Sequence, residues 1–198
     1  FVVPPVLESA EHATTSPRRG SRRYARGIRA ARVGVIYLRR MSRKTPVLVE
    51  TVRVRDGRAP LWHLHVRRLA LSCEALSIPF PRTLLVPSDG EDRVHRLAVS
   101  LAGTEVTTRP VGPVAPVRLL SSPVVHEPYP HKLADRASFE RAQAAARAAG
   151  ADDAILYTPA GSVAESGIWC LFWWEPAGLA APALDLGILP GVSRARIT

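Results

Sequence analysis

The chain has two cysteines, one methionine and no long apolar run, and each shortage narrows what it can be. Cys73 and Cys170 are too few and too far apart for a disulfide framework or a cysteine-rich zinc site, so no metal is expected. A reducing, cytoplasmic setting fits best. The longest apolar stretch of note, Ile168 to Trp174, runs for seven residues. Crossing a bilayer takes about 18, so no membrane partner is expected. The hydrophobic fraction is nevertheless 46% over 198 residues, which suits one ordinary domain or two small ones.

Acidic residues are scarce at one end only. Residues 1–44 hold 11 Lys/Arg against Glu8 and Glu11, a balance of +9. Of 27 basic and 17 acidic residues, 16 and 15 remain for positions 45–198, a balance of +1. The net charge of +10 therefore belongs to the front end. The Arg-rich run Arg18–Arg32 has the look of a nucleic-acid arm or a transit peptide. The body is near neutral and shows no nucleic-acid motif, so nucleic acid is not the expected partner. Met41 stands directly before the first strand-like run and reads as a natural start. Residues 1–44 are expected to be a basic extension, disordered or not native.

From residue 45 the patterns become regular. Residues 46–54 alternate with period two and lead into Asp56-Gly57, a hairpin-turn signal. Trp62, Val66, Leu69, Cys73 and Leu76 recur at spacings of 4, 3, 4 and 3, the stripe of a helix that Pro79 and Pro81 then end. Strand-like runs follow at about 92–100 and 104–111. Residues 45–117 thus predict a small α/β lobe, and 118–130, with Pro123, Pro128 and Pro130, a connection. A second helix is predicted with Asp135 or Ser138 as cap, Phe139, Ala142, Ala146 and Ala149 as buried stripe, and Gly150 just past its end. Strands are predicted at 153–158, 162–165 and 168–174, with turns at Pro159-Ala160-Gly161 and Pro176-Ala177-Gly178. Helices and strands mix without a βαβ rhythm, so the expected class is α+β.

Three side chains could carry chemistry. Lys132 follows a proline-rich connection, Glu165 lies between two strand-like runs, and Ser193 could cap a helix whose N-terminal amides suit an anion. Taken singly, each has a plainer reading as a solvated residue or an ordinary cap.

Taken together, ETVRVRDGRAPLWHLHVRRLALSCEAL (50–76), HKLADRASFERAQAAARAAGADDAILYTPAGSVAESGIWCLFWW (131–174) and LGILPGVSRARI (186–197) resemble class IV aminotransferases. These are the fold type IV pyridoxal-phosphate (PLP) enzymes, which include branched-chain and D-amino-acid aminotransferases and 4-amino-4-deoxychorismate lyases. The resemblance implies a two-lobed enzyme, a homodimer acting on a small-molecule amino substrate, with 118–198 as an incomplete PLP-binding lobe. Lys132, in the pattern K-x-x-[ND]-R formed by Lys132-Leu133-Ala134-Asp135-Arg136, would bind the cofactor and act as catalytic base. Glu165 would face its ring nitrogen. Arg68, placed by helical geometry beside the buried stripe, would hold the phosphate with Val192 and Ser193. The chain departs from the family at Cys170, where asparagine is usual, and in lacking the glycine-rich segment before the first strand. Trp169, Trp173 and Trp174 read as core packing. CLFWW and HVRRL lean toward the lyase, which releases pyruvate and leaves 4-aminobenzoate for folate biosynthesis. The alternatives are an amino-acid transaminase and a truncated, inactive member.

Overall fold

Strand β1, Leu48–Val54, turns Leu48, Glu50, Val52 and Val54 inward and leaves Thr51 and Arg53 exposed, as period two requires. The structure, a computed structural model, describes residues 45–84 and 91–197. The expectations for residues 1–44 lie outside that range. β1 pairs antiparallel with β2, Arg93–Ser100, and β2 with β3, Gly103–Pro110, in the order β1-β2-β3. Asp56 and Gly57 both take positive φ, 49° and 67°. Reciprocal Arg55–Arg58 backbone bonds of 2.8 and 2.9 Å close that turn. The hairpin signal ends in this single bridge because the chain then enters helix α1, Trp62–Ala75.

The face that α1 buries differs from the predicted stripe. It carries His65, Arg68, Leu69, Ser72 and Cys73, while Trp62 and Val66 are only half-buried. Glu50 supplies the reason: an inward carboxylate on β1 rewards a helix rotation that brings His65 and Arg68 beneath it. Arg68 therefore lies within the buried face, not beside it.

The second sheet has the order β4-β5-β6, with β4 (Leu119–Val125) parallel to β5 (Asp153–Tyr157) and β5 antiparallel to β6 (Val163–Ser166). The predicted connection at 118–130 thus contains a strand. Pro123 concealed it, and the register breaks between Ser121 and Val125, around that proline. An edge strand tolerates the loss of one ladder donor. Helix α2, Ala137–Ala148, joins β4 to β5 and buries Phe139, Ala142 and Ala146. Ala149 is exposed; Ser138 lies inside the helix and makes no cap bond, whereas Asp135, one residue before the N-cap position, accepts from Ala137 N–H at 3.4 Å. The strand predicted at 168–174 is reduced to β7, Trp173–Glu175, paired with β8, Gly178–Ala180. Residues 168–172 leave the sheet, Trp169 and Trp174 are exposed, and core packing is not their role. A 3₁₀ turn at Leu184–Leu186 and the short helix α3, Val192–Ile197, complete the described chain.

One core serves both halves. Leu48, Leu69, Cys73 and Val99 cluster with Tyr129, Leu133, Phe139, Ala142, Ala154 and Leu156. Burying each large aliphatic side chain there contributes roughly 1.5–3 kcal/mol. The backbone joins the halves too: Val49 N–H donates to Lys132 O and Ala134 N–H to Val47 O, both at 2.8 Å. Residues 132–134 thus run as a short extra strand along the open edge of β1, with Leu48 bridged to Leu133. Among the described residues no helix is long and apolar enough to cross a membrane.

Candidate active site

That edge pairing determines where Lys132 goes. Successive side chains of an extended segment point to opposite sides, so Leu133 enters the core while Lys132 lines a cleft. Tyr129 fastens the approach to this segment: its hydroxyl donates to Leu133 O at 2.5 Å and its N–H to Gly187 O at 2.7 Å. Burial, then the positive charges of Arg136 and Arg68, bring the Lys132 amine down to about 8, against the opposing pull of Glu50 and Glu165. About a tenth of this amine is therefore unprotonated, and nucleophilic, at neutral pH, far more than in an ordinary solvated lysine.

Arg136 itself is locked. Its guanidinium lies 5.0 Å from the Phe139 ring centroid and 6.0 Å from that of Tyr129, and its Nη2 donates to Gly167 O. Its buried Nε has no protein partner.

Glu165 stands on β6, opposite Leu156, and lines the same cleft. Its Oε1 lies 2.8 Å from His126 Nε2. The turn that follows is pinned from below by Asp153, which is fully buried at 0% exposure. Asp153 accepts from Ile168 N–H at 2.9 Å, from its neighbour Ala154 N–H at 2.8 Å, and from Gln143 Nε2 at 3.1 Å. Ser166 Oγ accepts from Trp169 N–H at 2.7 Å. Gly167 is required because a Cβ there would lie 2.3 Å from Asp153 Oδ1. Pinned in this way, Ile168, Trp169, Cys170 and Phe172 turn away from the sheet and form an apolar wall of the cleft.

Arg68 lies just outside the lining. Its Nε and Nη2 clasp Glu50 at 2.8 and 2.6 Å, and His65 Nδ1 reaches the same carboxylate at 2.7 Å. Burial alone would raise the pKa of Glu50, but the Arg68 and His65 bonds and charges outweigh it and hold it below its usual value. Arg68 Nη1 donates to Pro190 O at 3.2 Å, at the start of the loop leading to Val192 and Ser193. Three of the five guanidinium donors are engaged in these bonds. Val192 is buried and Ser193 exposed; neither lines the cleft, whereas Gly191 and Arg194 do. A Cβ on Gly191 would meet Cys170 Sγ at 2.4 Å, so Cys170 closes against this loop. The cleft encloses about 530 Å³ of empty space, its open mouth included.

The structure thus brings Lys132 and Glu165 to one cleft and puts Arg68 one loop away, while Ser193 stands apart. Sequence reasoning missed Glu50, His126 and Asp153 and gave Arg136 no role of its own. Only Glu50 left a signal, as a carboxylate at an inward position of an alternating strand. Among the described residues no group of His, Cys, Asp or Glu could hold a metal ion.

A family model, amino-transferase class IV, matches residues 93–198. A Legionella pneumophila structure named as a 4-amino-4-deoxychorismate lyase is similar at 26% identity and TM-score 0.67, over 82% of this chain and 69% of that one. A Mesorhizobium loti structure named as an amino-acid aminotransferase is similar at 25% identity and TM-score 0.66, over 77% and 82%. A branched-chain amino acid aminotransferase from Thermobaculum terrenum, solved in its PLP form, shares the fold at 19% identity and TM-score 0.60, over 76% and 62%. No curated protein sequence matches the chain.

Proposed function

The chain belongs to the amino-transferase class IV family and has the fold type IV architecture, and on that premise we propose that it binds PLP through Lys132 and eliminates pyruvate from 4-amino-4-deoxychorismate. The observation that carries the proposal is a lysine amine brought down to about 8 on the wall of a cleft that also holds a glutamate. A strongly perturbed lysine beside a carboxylate in a cleft is a functional-site candidate.

The residues present fit the cofactor. Lys132 offers a nucleophilic amine to an aldehyde, and Glu165 an acceptor to a protonated ring nitrogen. Arg136 Nε is a buried donor on the wall without a protein partner. Arg68, with the backbone at Val192 and the Ser193 hydroxyl, is the proposed phosphate end. Arg68 has donors to spare, and its bond to Pro190 ties it to that loop. When bound, PLP supplies an electron sink for charge developing at the substrate α-carbon. Lys132 then moves the α-proton as general base, a contribution of typically about 10²–10⁴-fold. Arg136 and Arg68 keep its amine able to accept a proton. The wall of Ile168, Trp169 and Phe172 excludes water from one side.

The test exploits a simple count: the chain has two lysines, Lys44 and Lys132. Incubation with PLP followed by borohydride should fix the label to Lys132, and Lys132→Ala should lose it. A label carried entirely by Lys44 would sink the proposal. Pyruvate release from 4-amino-4-deoxychorismate then distinguishes the lyase from the second reading, an amino-acid transaminase. The comparable likeness to the Mesorhizobium loti protein favours that second reading. Neither product, from protein that takes up PLP, would point to an inactive member. The working form is proposed to be a homodimer acting on a small-molecule amino substrate. The length of β3, exposed along its whole course, offers a surface for it. A monomer in analytical sedimentation would refute that part.

A further inference from the structure

The carboxylate of Glu165 has two oxygens, and the fold occupies one. His126 follows β4, and its N–H donates to Tyr157 O at 2.8 Å, so its backbone is held in the β4–β5 register. Its ring is buried, 3% exposed as a residue, and packs edge-on against Phe139 of α2 with centroids 6.3 Å apart. From there Nε2 reaches Glu165 Oε1 at 2.8 Å. An ionised carboxylate only accepts hydrogen bonds, so Nε2 must carry the proton. The backbone bond to Tyr157 and the edge contact with Phe139 hold the ring in place. We propose that His126 is a positioning residue that occupies one oxygen of Glu165 and leaves the other directed at a cationic ring nitrogen in the cleft.

The proposal rests on the reading of Lys132 and Glu165 as the cofactor site and adds a residue outside the cleft lining. Unsupported, a glutamate side chain on a cleft wall has rotamers to lose when it binds. Held by His126, it has already lost them. The ionised carboxylate is the form that attracts a protonated nitrogen. The chemistry recognised is thus a heteroaromatic cation, and His126 sharpens that recognition without touching it.

The full-length apoprotein provides the test. His126→Leu should weaken PLP affinity, measured by absorbance titration, about tenfold, the effect of one hydrogen bond to a charged group. His126→Gln, whose amide N–H can reach the same oxygen, should recover most of the loss. Parental affinity in His126→Leu, or a His126→Gln as weak as His126→Leu, overturns the proposal. Should His126→Leu fail to fold, ¹⁵N NMR of the unmodified apoprotein decides. Nε2 should be protonated and its resonance should move when PLP is added; a ring protonated only at Nδ1, or a resonance that stays put, overturns the proposal. A borohydride label that survives Lys132→Ala would instead overturn the function proposed above, so the two failures are distinguishable.

Discussion

Glu50 and Glu165 are both carboxylates on strands facing inward, yet their surroundings give them opposite uses. Glu50 is 2% exposed, and Arg68 and His65 engage both of its oxygens. Nothing is left over for a ligand. Glu165 lines a cleft, and one of its oxygens is engaged by His126. A fully engaged buried ion pair holds the protein together; a half-engaged carboxylate is held ready for something else. The difference is between a rivet and a socket, and it can be measured.

The largest effect should come from Glu50→Ala. It strands Arg68 in the interior without a counter-charge, a loss of about 3–5 kcal/mol in urea unfolding. A loss below about 1 kcal/mol would erase the distinction. Gly167→Ala comes next. The new methyl meets Asp153 Oδ1 and Gln143 in a pinned turn, and overpacking of this kind costs about 1–3 kcal/mol. Glu165→Ala should cost less than Glu50→Ala in stability, about 1–3 kcal/mol for the buried His126 N–H it leaves unpaired, while PLP uptake falls sharply. A stability loss as large as that of Glu50→Ala would make Glu165 a second rivet.

Two finer effects appear in pH dependence. The Glu50 carboxyl sits below its usual 4.5 in the folded protein, so its stabilisation is complete above that value. It is lost as pH falls from there through the lower folded value, and Glu50→Gln should flatten this part of an acid-unfolding curve. On the basic side, capture of an aldehyde by Lys132 should rise with pH around a midpoint of about 8. A midpoint near 10.4, that of an ordinary lysine, would mean the amine is solvated.

The sequence was most legible where one physical cause acts alone. Alternation over residues 46–54 announced β1, and the spacing of Phe139, Ala142 and Ala146 announced α2. Reading failed where a distant partner decides. Trp62 and Val66 predicted one face of α1, but Glu50, on another element, turned the helix toward His65 and Arg68. Pro123 hid β4 because a proline counts against a strand until its edge position is known. The aromatic run at 168–174 looked like a buried strand, but Asp153, Ser166 and Arg136 fold its first half into a wall. Of the site, Lys132 and Glu165 came from motif resemblance. His126 and Asp153 carried no local signature, because their partners lie 39 and 15 residues away.

The bond from Val49 N–H to Lys132 O makes one amide a witness to the lysine's position. If residues 132–134 peel away from β1, the reactive amine withdraws, although both sheets stay intact. The same opening frees the Val49 amide to trade its hydrogen for deuterium. Exchange at that single backbone position should therefore track the fraction of time the lysine is out of place, and should slow when a covalently attached aldehyde anchors the segment.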